Sequence, residues 1–150
     1  MKLRKCRVTR TKLAQFLRKY ADDLPASAIR KAVQHPKDWT VRCDAKGIGA
    51  VMRSEQNDWY LCTLKNAAVR PDLRGQGHGS RLYRDTANSA RHNRSCLVLA
   101  ADVTSTNSPS IRALKRVGFK KVETFCWKKG ERPADVLHFV KLSPKGGKCR

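Results

Sequence analysis

A glycine-rich stretch, Arg74-Gly75-Gln76-Gly77-His78-Gly79, contains the residues whose types and spacing most directly predict chemistry. Glycines at alternate positions let the backbone turn sharply and leave its N–H groups uncovered by side chains. An apolar segment precedes the stretch and a helical pattern follows it from Ser80, so these amides lie at the positive end of a helix. With the charges of Arg74 and Arg81 at either edge, they predict a site for a pyrophosphate.

Two other glycine-rich phosphate sites are excluded by the spacing. A dinucleotide fingerprint needs Gly-x-Gly-x-x-Gly in the first turn of a βαβ unit, whereas this chain has Gly-x-Gly-x-Gly after several other elements. A P-loop ends in Gly-Lys-Ser/Thr, and neither a lysine nor a threonine follows Gly79 here. A tight glycine turn that binds nothing is the remaining alternative.

The stretch resembles the acyl-CoA-binding signature of the GNAT superfamily of N-acetyltransferases, Arg/Gln-x-x-Gly-x-Gly/Ala. A second segment, from Asn107 to Gly118-Phe119, is similar to the family's Asn-x-x-Ala-x-x-Leu-Tyr-x-x-x-Gly-Phe. The resemblance is specific over residues 61–119, and the flanks agree only in the order of elements. It implies transfer of an acetyl group from acetyl-CoA to an amine, by direct attack of the amine on the thioester.

The resemblance also implies where the cofactor is held. Main-chain amides near Ala68 would hold the acyl carbonyl, the glycine-rich stretch would bind the pyrophosphate, and Asn107 would contact the pantetheine arm. A loop or helix-cap role is the alternative for Asn107. The full set of cofactor-binding residues expected from the resemblance is Ala67, Ala68, Val69, Arg74, Gly75, Gln76, Gly77, His78, Gly79, Ser80 and Asn107.

The chain departs from the family pattern in its proton-transfer residues. Leu114 occupies the position of the family's tyrosine, and an alkyl side chain cannot donate a proton to a leaving thiolate. The strand before the glycine-rich stretch also has no carboxylate, where many members of the family have a glutamate. The candidates to assist are Asp102, Ser110 and Cys126, together with Ser105. Each also has a structural interpretation, at the end of a strand, in a first helical turn or in the core.

The charge of the chain is large for a small enzyme. Among 150 residues, 33 are Lys or Arg and 12 are Asp or Glu, which gives a net charge of +21. This excess favours an acidic macromolecular partner, most simply nucleic acid, over a merely solvated basic surface. Three functions follow: an acetyltransferase whose acceptor is nucleic acid or a protein bound to it, an acetyltransferase of small amines or protein lysines, and a non-catalytic basic nucleic-acid-binding protein on a degenerate fold.

Six widely spaced cysteines lack a Cys-x-x-Cys pair, so neither a zinc site nor a disulfide scaffold is expected, and no other metal site is predicted. Cys43, Cys62, Cys96 and Cys126 fall in strand-like runs, where a cysteine behaves as a small buried hydrophobe. No secretion signal or membrane-spanning run is visible. We therefore expect a cytoplasmic protein in a reducing compartment. Because members of the family are often dimers, the resemblance also implies a homodimer.

The element pattern supports one α/β (mixed α+β) domain over residues 1–142. Helical spacing predicts helices from Thr9 to Leu24, from Ala26 to Gln34 and after Ser80, and a fourth that Ser108 caps with Pro109 in its first position. The resemblance arranges the remaining runs as a mixed, mostly antiparallel central sheet of about seven strands, flanked by about four helices. Residues 143–150 are predicted to be a basic, disordered tail.

Overall fold

The structure, a computed structural model, describes residues 2–21, 24–94, 96–129 and 132–142. The predicted tail from 143 to 150 lies outside this described part. The strands and helices, in chain order, are β1 (Arg4–Lys5), α1 (Arg10–Tyr20), α2 (Ala26–Ala32), β2 (Trp39–Asp44), β3 (Gly47–Gln56), β4 (Leu61–Val69), α3 (His78–Arg94), β5 (Val98–Thr104), α4 (Ser108–Arg116), β6 (Lys120–Lys129) and β7 (Arg132–Leu142).

The strands form one sheet in the order β1-β2-β3-β4-β5-β7-β6. Each neighbouring pair is antiparallel except β4 and β5, which run parallel. The crossover between this parallel pair is α3, as expected for a connection that must return the chain to the same end of the sheet. The predicted mixed, mostly antiparallel seven-stranded sheet with four helices is confirmed.

The helices cover the two faces of the sheet. The buried positions of α1, including Leu13 and Leu17, pack with α2 against Trp39 of β2. The opposite face is covered by α3 and α4, and its core contains Leu114 and the fully buried Phe139. Both faces therefore bury apolar side chains, which accounts for the continuous apolar runs of the central strands.

The first helix is shorter than predicted. Thr9 caps it, because its hydroxyl oxygen accepts a hydrogen bond from the amide of Lys12 at 3.3 Å. The helix ends at Tyr20, and Leu24 lies beyond it although it continues the helical spacing. Apolar periodicity alone does not determine at which residue a helix ends.

Two disulfides correct the prediction for the cysteines. Cys6 is bonded to Cys43, and Cys62 to Cys96, with Cα atoms 5.9 Å apart in each pair. The partners are 37 and 34 residues apart along the chain and become neighbours only through strand pairing, which the spacing of cysteines cannot reveal. Cys126 is exposed on the edge strand β6 and not in the core. The argument for a reducing compartment loses its support.

No helix in the described part of the chain is long and apolar enough to cross a membrane.

Candidate active site

The sheet opens at its parallel pair of strands. Strands β4 and β5 pair only through three positions, from Leu61–Val98 to Thr63–Ala100. Beyond Thr63, β4 continues to Val69 and β5 to Thr104 without further pairing between them in the described residues. A cavity of about 600 Å³ lies in this gap and is lined from both strands, from α3 and from the start of α4. The two parallel strands therefore separate beyond Thr63.

A bulge turns the backbone of β4 at this gap. Val51 of β3 faces Ala68, but Arg53 faces Lys65, so two residues of β4, Asn66 and Ala67, lie opposite one residue of β3. Asn66 has a φ of 56°, in the left-handed region that asparagine tolerates better than most residues. Bulges re-aim side chains and amides where a strand meets a site. Both Asn66 and Ala67 line the cavity.

The glycine-rich stretch places backbone donors at the start of α3. The first helical bond recorded there joins the amide of Arg81 to the carbonyl of Gly77 at 3.1 Å. The amides of His78, Gly79 and Ser80 precede it and have no carbonyl within the helix to accept them. They are therefore available to an anion, at the end of the helix whose dipole favours one.

Two side chains of this stretch brace the loop from within. Arg74 Nε donates to the carbonyl of Val69 at 3.1 Å, and Gln76 Nε2 donates to the carbonyl of Asp72 at 2.9 Å. Both residues were predicted to bind the cofactor. The contacts that the structure gives them hold the loop against the end of β4.

The three glycines have different reasons to be glycine. Gly75 and Gly77 have φ angles of 75° and 80°, which side chains with a Cβ rarely adopt. Gly79 has no such angle, and a Cβ placed on it would meet no atom within 4 Å. Neither conformation nor packing in the protein requires glycine there, whereas close approach of a ligand to the backbone would. The site thus fits a pyrophosphate lying against the first turn of α3.

His78, in the middle of this stretch, presents its backbone and not its ring. The imidazole is buried, and its Nε2 has no hydrogen-bond partner. Burial, and then the charge of nearby Arg81, lower the pKa of His78, so the ring is neutral at pH 7. Its contribution to an anion site is the amide.

Arg70 anchors the chain where β4 runs into the loop. Its guanidinium binds Asp44 (Nη2–Oδ2, 2.5 Å) and Asp72 (Nε–Oδ1, 2.6 Å) and donates to the carbonyl of Ile48 at 3.3 Å. The side chain of Asp44 is almost fully buried in this contact. Hydrogen bonds from Arg70 hold the pKa values of both carboxyl groups below their usual range. The hairpin of β2 and β3 is in this way tied to the loop.

This anchor makes a prediction about acid stability. Carboxyl groups with lowered folded pKa values stabilise the protein above their unfolded pKa of about 4, and that stabilisation is lost as the pH falls through the folded values. Replacing Arg70 with Met should lower Tm at pH 7 by about 5 °C or more, because it leaves two carboxylates without their partner. The difference from the unmodified protein should shrink below about pH 4.

Thermal unfolding followed by circular dichroism from pH 2 to pH 7 measures this, with Arg112→Met, at an exposed position of α4, as the matched control. A difference in Tm between the Arg70 variant and the unmodified protein that does not change with pH would contradict the account.

Tyr83 is a cavity residue that the sequence analysis missed. It lies one helical turn after Gly79 on α3 and lines the cavity together with Ser110. Burial raises the pKa of Tyr83, and its hydrogen bond to Ser110 acts in the opposite direction, so the phenol keeps its proton at neutral pH. Leu114, at the family's tyrosine position, is fully buried in the core. Tyr83 could have been predicted from the sequence, because residues four apart lie on the same face of a helix and Tyr83 is four residues after Gly79.

Asp102 lies on the other side of the cavity and has a histidine partner. Its Oδ1 is 2.5 Å from Nδ1 of His138, which stands opposite it in the pairing of β5 with β7. The carboxyl side chain is about half exposed and lines the cavity. Of the three predicted catalytic residues, Asp102 and Ser110 therefore share one cavity, while Cys126 does not line it and lies exposed on β6.

Asn107 has the capping role that was the alternative to a cofactor contact. Its Oδ1 accepts a hydrogen bond from the amide of Ser110 at 3.2 Å, so Asn107, and not Ser108, caps α4. Asn107 also lines the cavity, so the cap and the predicted contact with the pantetheine arm are compatible. Of the backbone donors expected around the acyl group, Ala67 lines the cavity, while Ala68 and Val69 pair with β3 directly after the bulge.

A sheet split at its parallel pair, with an amide-lined loop beside the split, defines an α/β protein with a cleft for a phosphate-bearing ligand. Residues 9–119 match the model of the acetyltransferase (GNAT) family. The chain belongs to this family, so the protein is an acetyltransferase and acetyl-CoA is its cofactor. A search of curated proteins finds no match to the chain.

Solved structures agree in fold at low identity. The ribosomal-protein-alanine N-acetyltransferase of Brucella melitensis has a TM-score of 0.76 and 18% identity, covering 95% of this chain and all of its own. A polyamine N-acetyltransferase of Drosophila melanogaster, which forms N-acetylagmatine, has a TM-score of 0.78, 14% identity and the same coverage. The yncA protein of Salmonella typhimurium, solved with acetyl-CoA, has a TM-score of 0.75 and 13% identity, covering 95% of this chain and 94% of its own.

Proposed function

We propose that the protein acetylates a primary amine that reaches the cavity between β4 and β5 from the side of Asp102. The observation that carries this proposal is the cavity itself, which joins the bulge of β4 and Asp102 to Tyr83 and the start of α4. The bound acetyl-CoA supplies the acetyl group as a thioester. Binding of the cofactor, polarisation of the thioester carbonyl and proton transfer are performed by groups of this chain.

Backbone amides do the binding and the polarisation. The amides of His78, Gly79 and Ser80 hold the pyrophosphate. In this proposal, backbone amides at the bulge of β4 and directly after it, from Ala67 to Val69, hold the carbonyl oxygen of the thioester. A preorganised donor to that oxygen typically contributes about 3 kcal/mol to the rate.

Asp102 takes the proton of the acceptor. An alkylamine is an ammonium ion at pH 7 and must lose a proton before its nitrogen can attack. A carboxylate at the cavity wall both attracts the ammonium and accepts that proton. His138 fixes the orientation of Asp102 through the contact at Oδ1. Asp102, oriented by His138, therefore takes the role of the glutamate that many family members have on the strand before the glycine-rich stretch, which here is β4.

Tyr83 serves the leaving group. As the new C–N bond forms and the C–S bond breaks, the attacking nitrogen loses its second proton to solvent. Sulfur gains a proton, which the Tyr83 hydroxyl donates and regains through Ser110 and solvent. Because a thiolate is a fair leaving group even without a proton donor, this help is worth less than the help of a base. The role follows from the protonated phenol at the cavity wall.

The Tyr83 role predicts a modest kinetic loss. Tyr83→Phe should lower kcat by about tenfold, near or below the lower end of general acid catalysis, while the KM for acetyl-CoA changes little. Steady-state release of free CoA, measured with a thiol reagent, gives both constants. Tyr60→Phe, at a more exposed tyrosine outside the cavity, is the matched control. Equal losses in the two variants would remove Tyr83 from the mechanism.

The proposed acceptor is an amine on a nucleic acid or on a protein bound to one, with small polyamines as the second candidate. The net charge of +21 favours the first. The second is favoured by the polyamine acetyltransferase among the structures with this fold. A cytoplasmic location and a homodimer belong to the same proposal, since acetyl-CoA and nucleic acid meet inside cells and family members are often dimers.

One experiment tests the function directly. Purified protein is incubated with acetyl-CoA and separately with agmatine, a lysine peptide, a ribosomal-protein peptide with a free N-terminus and total RNA, and the release of CoA is measured. We expect turnover with at least one primary amine. Binding of RNA with no affinity for acetyl-CoA would instead select the non-catalytic alternative.

A further inference from the structure

A second and larger cavity lies at the other edge of the sheet. It has a volume of about 1160 Å³ and is lined by the segment after β1, the edge of β2, the short 3-10 helix Pro36–Asp38 and the C-terminal half of α3. Strand β1 pairs with Cys43 and Arg42, and the amide of Cys6 then donates to the carbonyl of Val41 at 3.2 Å. The edge of β2 beyond Val41, toward Trp39, opens onto this cavity. We call it the basic groove, lined among others by Lys5, Arg7, Lys37, Arg42 and His92.

The charge of the basic groove is not balanced by its own acids. The cavity has two acidic lining residues, and each is bound by an arginine: Arg42 pairs with Asp85, and Arg53 lies 3.9 Å from Asp38. Three exposed basic residues remain, Lys5, Arg7 and Lys37, for which the described part of the chain offers no ion pair. An anion entering the groove meets uncompensated positive charge.

The groove borders a stretch of chain with many basic side chains at the surface. Residues 2–21 contain eight Lys or Arg, all of them exposed, and no acidic residue. A single phosphate or a mononucleotide would need only a small part of this surface. A chain of phosphates could reach more of these side chains, since electrostatic binding of nucleic acid grows with each phosphate that a basic side chain neutralises. Asn88 and Thr40, which also line the groove, add polar groups for sugar or phosphate oxygens.

The groove is distinct from the acetyl-CoA site. The residues of α3 that line the groove run from Asp85 to His92, six to 13 residues beyond Gly79, or about 9 to 20 Å along the helix axis. None of the first-turn amides lines the groove, so the two anionic ligands would not compete for the same amides.

We propose that the basic groove binds the phosphodiester backbone of a nucleic acid. This proposal adds a binding site to the proposed nucleic-acid acceptor. It depends on the proposed function only for the reason why a nucleic acid would bind, and not for the binding itself. The groove would position the nucleic acid, or the complex that contains it, on the enzyme by charge and not by base sequence.

The test compares two triple variants of equal charge. Lys5→Gln/Arg7→Gln/Lys37→Gln removes three charges from the groove, and Lys115→Gln/Lys120→Gln/Lys121→Gln removes three exposed charges elsewhere. Binding of a fluorescein-labelled 20-nucleotide RNA strand, and of a 20-base-pair DNA duplex, is followed by anisotropy between 50 and 300 mM salt. We expect the groove triple to lose at least about tenfold in affinity at 150 mM and to lower the salt slope by about 2 to 3. The control triple should stay within about twofold.

Equal losses in the two triples would mean that the charge acts diffusely and would overturn the proposal, as would unchanged binding by the groove triple. Inorganic tripolyphosphate is the third probe: if it binds as tightly as the RNA strand and loses its affinity in the groove triple, the groove is a small-anion site and the proposal is wrong. Acetyl-CoA affinity, measured by calorimetry on all variants, should not change. Failure of the acetyltransferase proposal would thus appear separately, as an absence of acetyl-CoA binding by the unmodified protein.

Discussion

Replacing Asp102 with Asn is expected to lower kcat/KM for an alkylamine acceptor at pH 7 by at least about 100-fold, within the range of general base catalysis. The amide has nearly the shape of the carboxylate, and it can neither accept the proton of the ammonium nor attract its charge. Acetyl-CoA should bind the variant with unchanged affinity, because the pyrophosphate amides lie on α3, on the other side of the gap.

The pKa of the acceptor separates a base from a merely structural carboxylate. An alkylamine must be deprotonated on the enzyme, whereas an aromatic or nucleobase-type amine is already neutral at pH 7 and needs no base. Asp102→Asn should therefore cost about 100-fold with the first acceptor and about tenfold or less with the second. Equal losses with both acceptors would contradict the assignment.

Two variants accompany this measurement. Asp135→Asn, at an exposed aspartate of β7 outside the cavity, is the matched control and should change neither rate. His138→Gln should give an intermediate loss of kcat for the alkylamine with little change in KM, as expected of a residue that positions Asp102. Full activity in His138→Gln would mean that His138 does not position Asp102 for catalysis.

The glycine-rich loop could be predicted from sequence because its determinants are local. Gly75, Gly77 and Gly79 occupy alternate positions of one short stretch. The strand β4 comes before this stretch and the helix α3 comes after it, so all the determinants are close together in the sequence. The amide donors follow from that order alone. The family's missing tyrosine could be recognised in the same way, since Leu114 lies at a fixed spacing from Asn107.

The partners across the sheet could not be predicted. Asp102 and His138 are 36 residues apart, and their contact depends on the register of β5 with β7. A shift of one residue would turn every side chain of a strand to the other face. The disulfide pairs have the same origin. The positions of the cysteines are visible in the sequence, but predicting the Cys62–Cys96 disulfide requires knowing that β4 lies beside β5.

Gly79 provides the second large effect, on the binding of acetyl-CoA. Gly79→Leu should raise the dissociation constant for acetyl-CoA by about 100-fold or more, a cost of at least about 2.7 kcal/mol, because the side chain would occupy the space that the pyrophosphate needs. The protein itself has no atom within 4 Å of a Cβ at this position, so the Cβ of the new side chain meets no clash in the unliganded fold. Gly79→Ala, the alternative that the family signature allows, should lose only a few-fold.

Stability and binding should move in opposite directions in this series. Glycine is less favourable in a helix than alanine or leucine by up to about 1 kcal/mol, so both variants should unfold at the same temperature as the parent or higher. Isothermal calorimetry with acetyl-CoA and thermal unfolding of the same samples measure the two effects. If the leucine variant is less stable than the parent, its loss of acetyl-CoA binding would be explained by damage to the fold. One that is stable and still binds acetyl-CoA normally would place the pyrophosphate elsewhere, because no ligand can approach the amides of α3 through a leucine side chain.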